Sequence, residues 1–179
     1  MSRLTIREVE ELQAQTLDAL EPVKLKGRIA DVYLQFANSE NALRTYLQME
    51  RSIRDGSLAD AEAEAIKLWV SQQTGCEFCL SVHSYKATQA GLNQTQQASI
   101  RRTGVCGIPR IDALLKVAAA IFHSPGSISE ALLNEARDAG LSDETLVDLC
   151  MAISTIFFTN ITNHINDSRS GLPAAPVLE

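Results

Sequence analysis

The run from Ser57 to Leu92, SLADAEAEAIKLWVSQQTGCEFCLSVHSYKATQAGL, decides the fold. Between Ala59 and Thr74 it is rich in Ala, Glu, Leu and Lys, strong helix formers, with no run of β-branched residues set against them. Gly75 is a natural stop for that helix, and the next segment carries Cys76-Glu-Phe-Cys79-Leu-Ser-Val-His83. A helical path brings positions i, i+3 and i+7 to one face, so Cys76, Cys79 and His83 project together. A thiol at the start of a helix meets unpaired N–H groups and the positive end of the helix dipole, which favour the thiolate. Two thiols three apart on a first turn can close a disulfide, one attacking and the other resolving. With His83 one turn past Cys79, and Glu64 in the preceding helix, the segment is a two-electron device with its own candidate proton acceptor.

Outward from this run the chain is punctuated in the same way. Pro22, Gly27, Gly56, Gly91, Gly104, Gly107, Pro109, Pro125, Gly126, Gly140 and Gly171 separate lengths suited to helices. Ser57-Leu-Ala-Asp60 and Ser127-Ile-Ser-Glu130 have the form of capping boxes, and Asn93 and Ser142 are good N-caps. Apolar residues recur at helical spacing: Leu43, Tyr46, Leu47 and Ile53; Leu114, Val117, Ala118 and Ile121; Leu146, Leu149, Ile153, Ile156 and Phe157. None of these alternates as a strand would. The expected fold is all-α, one helical domain of about seven helices over residues 25–170, with an N-terminal helical arm at 1–24 and a flexible tail at 171–179.

Composition narrows the function. At 179 residues and 45% hydrophobic the chain can bury one core, and its net charge of −6, with basic residues scattered apart from Arg101-Arg102, gives no phosphate-binding surface. Nucleic acid is not an expected partner. The N-terminus turns acidic before an apolar run develops and no segment reads as a membrane span, so a cytoplasmic protein is expected. Four cysteines are too few and too unevenly placed for a disulfide scaffold, and in a reducing compartment Cys-x-x-Cys is more often catalytic or metal-binding.

Plainer readings stand beside the catalytic one. Cys76 and Cys79 could bind zinc with His83, His123 or His164, although a structural site wants four ligands and this chain lacks a second close pair; they could also be an inert buried pair. Asn160, Asn163, His164 and Asp167 form a polar stripe on an apolar helix, either lining the thiol pocket or making a subunit interface or solvated helix end. His123 reads as a helix C-terminal residue, and Trp69 and Tyr85 as core or interface aromatics.

The pattern Glu64, Cys76-x-x-Cys79 and His83, followed by Ala87 and Ala90-Gly91-Leu92, resembles the alkylhydroperoxidase AhpD-like branch of the carboxymuconolactone decarboxylase superfamily. Weaker agreement continues at Ala139-Gly140-Leu141-Ser142, Phe157-Phe158 and Asn163-His164-Ile165-Asn166-Asp167. The resemblance implies a helical fold assembled as homotrimers or homohexamers. It also implies reduction of small hydroperoxides by the dithiol, and re-reduction by a lipoyl-bearing protein or another external thiol, with no bound cofactor and no metal. Carried over, Cys79 is the peroxidatic thiol, Cys76 the resolving one, and Glu64 with His83 the proton relay. Phe78 stands where the family often has a histidine, and could keep the thiol in a dry pocket shared with Asn163 and His164.

The residues alone leave the nucleophile open, since the helix terminus favours a low pKa for Cys76 while the spacing to His83 favours Cys79. They also leave open a thiol–disulfide oxidoreductase or redox-sensing module, which needs an exposed thiolate and a suitable potential but no peroxide pocket.

Overall fold

A computed structural model describes residues 2–178. Nine α-helices are present among them: α1 Ala14–Leu20, α2 Asp31–Phe36, α3 Glu40–Asp55, α4 Asp60–Thr74, α5 Glu77–Gln89, α6 Gln94–Thr103, α7 Pro109–His123, α8 Glu130–Asp138 and α9 Asp143–Asn166. The seven from α3 onward follow the expected all-α pattern. Of the two further helices, α1 lies in the stretch expected as an N-terminal helical arm, and α2, six residues long, is too short to show a repeat in sequence. No strand occurs among the described residues, only an isolated bridge between Leu25 and Arg28.

The architecture is set by α4. Ten consecutive residues, Glu62 to Ser71, are buried, so this helix runs through the centre with α5, α6, α7 and α9 packed around it. Ala65, Ile66, Leu68 and Val70 join the main core with Leu114, Leu115, Leu149, Ala152 and Ile156 from its neighbours. A helix buried all round must match its polar side chains internally. Glu62 pairs with Arg110 of α7, Lys67 with Glu50 of α3, Glu64 with His83 of α5, and Ser71 bonds Asn160 of α9. These four pairings fix α4 against four helices.

The ends of the helices depart from the expected caps in two places. Ala59, not Ser57, precedes α4, and its N–H donates to Glu62 at 3.0 Å. Ser57 instead binds α9, its N–H and hydroxyl both donating to Asp148 Oδ2 at 2.8 Å. Likewise Ser129, not Ser127, caps α8. Asn93 and Ser142 cap α6 and α9 as expected.

A second apolar cluster joins the N-terminal segments to α3 through Leu12, Leu20, Phe36, Leu43 and Leu47. The opening strap is tied to the end of α9, with the Leu4 N–H and the Ser2 hydroxyl both donating to Asn166 Oδ1 at 2.7 Å. At the other terminus, Arg101 donates to the Pro176 carbonyl at 2.6 Å. By length and composition α9 is apolar enough to cross a membrane, with mean hydropathy 1.5 in its most apolar stretch, contrary to the expectation that no segment reads as a span. Its inner face, with Leu149, Ala152, Ile153 and Ile156, packs into the core, while Val147, Phe157, Ile161 and Ile165 are exposed.

Candidate active site

The α4–α5 junction builds the dithiol. Gly75 takes the left-handed conformation at φ +69°, which costs glycine little, and turns the chain sharply. The Gly75 N–H donates to Gln72 O at 3.2 Å and the Cys76 N–H to Ser71 O at 3.0 Å, closing the end of α4. Cys76 thereby becomes the residue capping α5, and Cys79 lies in its first turn. Both are free thiols, each only 2% exposed.

The two thiols are electrostatically unlike. Hydrogen bonding from the Cys79 thiol is the strongest influence on Cys76; burial opposes it, and the N–H groups of Cys79 and Phe78 reinforce it, so Cys76 lies below its ordinary pKa. Cys79 is pushed far above the thiol range, first by its hydrogen bond to Cys76, then by burial and by the neighbouring charge. The pair therefore loses its first proton on the Cys76 side, as the helix terminus suggested. Polar groups of α9 converge on the other sulfur: Asn163 Nδ2 donates to Cys79 Sγ at 3.4 Å, and Thr159, whose hydroxyl donates to the Ile156 carbonyl at 2.9 Å, favours the same thiolate. Asn163 is 2% exposed, and its Oδ1 is buried without any hydrogen-bond partner.

Glu64 and His83 form a buried pair, His83 Nδ1–H donating to Glu64 Oε2 at 2.6 Å. Burial is the main influence on His83 and lowers its pKa against the pull of Glu64, so the imidazole is neutral at neutral pH. Burial alone would raise the Glu64 carboxyl; His83, Lys67 and Lys86 outweigh it and hold the group below its ordinary value. Among the described residues neither thiol is a hydrogen-bond partner of His83, so the structure assembles two pairs, Cys76 with Cys79 and Glu64 with His83, without a direct bond between them. Glu64 borders an open cavity of about 270 Å³, shared with Glu50, Arg54, Lys67 and Lys86. A second cavity of about 270 Å³ lies against Phe78, with Gln35, Asn166 and Arg169 in its wall.

His164 stands apart from this site. Its Nε2 bonds the Thr74 carbonyl at 2.9 Å, on an exposed surface at the end of α4, because it projects from α9 one residue round from Asn163. Asn160 also serves that junction, donating to Thr74 Oγ1 at 2.7 Å. The polar stripe is thus split between two duties, with only Asn163 at the thiols. Trp69 is buried against Phe122, with ring centres 5.7 Å apart, His123 ends α7, and Tyr85 is exposed. Sequence reasoning missed Lys67 and Thr159. Lys67 had a readable signal, a cation three positions after Glu64 inside a helix otherwise flanked by apolar residues.

The carboxymuconolactone decarboxylase family model matches residues 39–120, the segment that holds Glu64, Cys76, Cys79 and His83. Over that segment the chain is similar to the carboxymuconolactone decarboxylase family, and its fold is the AhpD-like one of the solved structures below. An uncharacterized protein of Bacillus subtilis (strain 168), YdfG, is 26% identical over 117 residues, covering 64% of this chain and 79% of the relative. The crystal structure of an uncharacterized peroxidase-related protein from Ralstonia eutropha JMP134, described as an alkylhydroperoxidase AhpD core, superposes with a TM-score of 0.84 at 20% identity, over 95% of this chain and 92% of that one. A cysteine-to-alanine variant of the debrominase Bmp8, in complex with 2,3,4-tribromopyrrole, superposes with a TM-score of 0.73 at 21% identity, over 98% of this chain and 96% of that one.

Proposed function

We propose that this protein is a thiol-dependent reductase of small organic hydroperoxides. One observation carries the reading: the unpaired, buried Oδ1 of Asn163 stands beside the Cys79 thiol, an acceptor waiting for an O–H donor such as a hydroperoxide supplies. Cys79 is the attacking thiol, because Asn163 and Thr159 converge on it and on no other sulfur. When the dithiol gives up one proton, the negative charge settles on Cys76 and Cys79 keeps its proton. Transfer of that proton to Cys76, or to the neutral His83 through an intervening water, frees the Cys79 thiolate.

The thiolate then attacks the outer peroxide oxygen. The O–O bond breaks, the alcohol leaves with one proton, and Cys79 becomes a sulfenic acid. Cys76 attacks that sulfur, water leaves, and a Cys76–Cys79 disulfide remains. In sum, one hydroperoxide and two thiols give one alcohol, one water and one disulfide. An external dithiol, a lipoyl group among the candidates, then returns two electrons. The trimeric or hexameric assembly implied by the resemblance, and the cytoplasmic setting expected from the sequence, belong to the same proposal.

The rival reading, exchange with protein disulfides, needs a sulfur that a folded partner can reach, and burial of both thiols weighs against that more than against a small peroxide or a slender dithiol arm. Reductive removal of bromine, suggested by the debrominase likeness, would draw on the same two electrons and makes a natural control substrate. The test is hydroperoxide consumption driven by dihydrolipoamide, with a bromopyrrole run in parallel. Turnover that vanishes in Cys79→Ser and stalls after one oxidation in Cys76→Ser is the expected result. Absence of turnover in the wild-type protein with fully reduced thiols overturns the proposal.

A further inference from the structure

Buried ammonium groups are rare unless they are matched, and Lys67 is only 3% exposed at the centre of the fold. Its Nζ donates to both carboxylate oxygens of Glu50, at 3.0 and 2.8 Å. On α4 it stands three residues from Glu64, on the same helix face and at the wall of the same cavity. The four side chains thus run in a line of alternating character across three helices: the Glu50 carboxylate on α3, the Lys67 ammonium and Glu64 carboxylate on α4, and the His83 imidazole on α5. A mere fold-stabilising role explains this poorly, since a buried ion pair is often no more stabilising than apolar residues of similar volume.

We propose that Lys67, anchored by Glu50, is a positioning residue that fixes the protonation of the Glu64–His83 pair, keeping the carboxylate ionised and the imidazole neutral and ready to accept a proton. The positive charge lowers the energy of the Glu64 anion and raises that of the His83 imidazolium, so both effects favour the same state. The directions found for the two groups agree, and Lys67 acts on each. With Glu64 ionised, His83 donates Nδ1–H to it and presents Nε2 as the basic nitrogen.

The other charges around the pair do not supply this function alone. Lys86 on α5, three residues from His83, acts in the same sense and more strongly on the imidazole, whereas Lys67 acts more strongly on Glu64; the Lys86 side chain is exposed and open to screening, and Lys67 is buried. Asp60 on α4 and Arg54 on α3 border that cavity with opposite signs, and Tyr46 on α3 is a phenol whose own pKa is raised. Arg101 of α6 is engaged by Gln72, and Arg110 of α7 by Glu62. The side of α9 that meets α5 offers the uncharged Thr159 and Asn163. Lys67 is the buried cation next to the pair.

The proposal rests on the peroxidase reading only where rates are concerned; its central test needs no turnover. The His83 imidazole is titrated by NMR in the wild type, Lys67→Met, which keeps a comparable aliphatic stem, and Lys67→Arg, which keeps the charge. In Lys67→Met the His83 midpoint should move up, because a cation that disfavours the imidazolium is gone. In Lys67→Arg it should stay with the wild type. Glu50→Gln/Lys67→Met removes both charges of the ion pair, so it should shift the His83 midpoint in the same direction by less than the single variant, and it stands in if the single variant does not fold. Where hydroperoxide turnover is present, the acid limb of its pH profile should move with the imidazole. A His83 midpoint unchanged in Lys67→Met and in the double variant, or moved equally in Lys67→Arg, overturns the proposal. A shifted imidazole in a protein without turnover would sustain it while sinking the peroxidase reading.

Discussion

Replacing Asn163 with Leu should weaken thiol chemistry without weakening the fold. Asn163 makes one hydrogen bond, to Cys79 Sγ at 3.4 Å, and leaves Oδ1 buried and unpaired. Losing an ordinary hydrogen bond costs about 1 kcal/mol, whereas an unmatched buried polar atom carries a penalty of about 1–3 kcal/mol that the apolar side chain removes. The net effect on stability lies between neutral and about 2 kcal/mol stabilising. At about 2–4 °C per kcal/mol for a chain of this size, Tm should hold or rise by up to about 8 °C. Reactivity should go the other way. A hydrogen bond to a charged group is worth about 1.5–3 kcal/mol, and the long N–H···S contact places this one at the lower end, so loss of the donor to the Cys79 thiolate should slow hydroperoxide-driven oxidation about tenfold. Calorimetry and stopped-flow oxidation of the same sample read the two effects. A variant destabilised by more than about 1 kcal/mol that oxidises at the wild-type rate would refute the reasoning and make Asn163 a structural residue.

Acid should destabilise the protein in two stages. His83 is held neutral below its ordinary pKa, so the unfolded chain binds its proton first and stability falls as pH drops below about 6.5. Glu64 is also lowered, so its contribution is present above about pH 4.3 and is lost as pH falls through its folded value. Melting curves between about pH 8 and pH 3 should show both losses, and His83→Gln should lack the first. Gly75→Ala adds a side chain at φ +69° with no neighbour within 4 Å of the new carbon, so the cost is backbone strain alone, about 1–2 kcal/mol, measurable by denaturant unfolding.

Local signals were legible wherever backbone conformation alone decides the outcome. Gly75 could be read as the end of α4, and Cys76 as the start of α5, on that ground. The cap of α4 could not, since Ser57 takes its partner by proximity and reaches Asp148 on α9, ninety-one positions away. Periodicity identified α3, α7 and α9, composition pointed to α4 and the Asn93 cap to α6, while α2, six residues long, is too brief to repeat.

Sequence alone therefore determined the helical class, the dithiol, and the residues able to serve it, because helix periodicity, glycine conformation and three-residue spacing are properties of neighbouring residues. Tertiary structure decided which of those residues meet. Packing of α5 against α4 brings His83 to 2.6 Å from Glu64, and packing of α9 against both brings Asn163 to Cys79 while turning His164 to Thr74. Two adjacent residues on one helix point about 100° apart, so a rotation of α9 would exchange their roles, and only the core that seats Leu149, Ala152 and Ile156 sets that rotation. The Glu50–Lys67 pair has the same origin. Seventeen residues separate its members in sequence, and only the crossing of α3 with α4 makes a neutralised pair of what would otherwise be a costly buried charge.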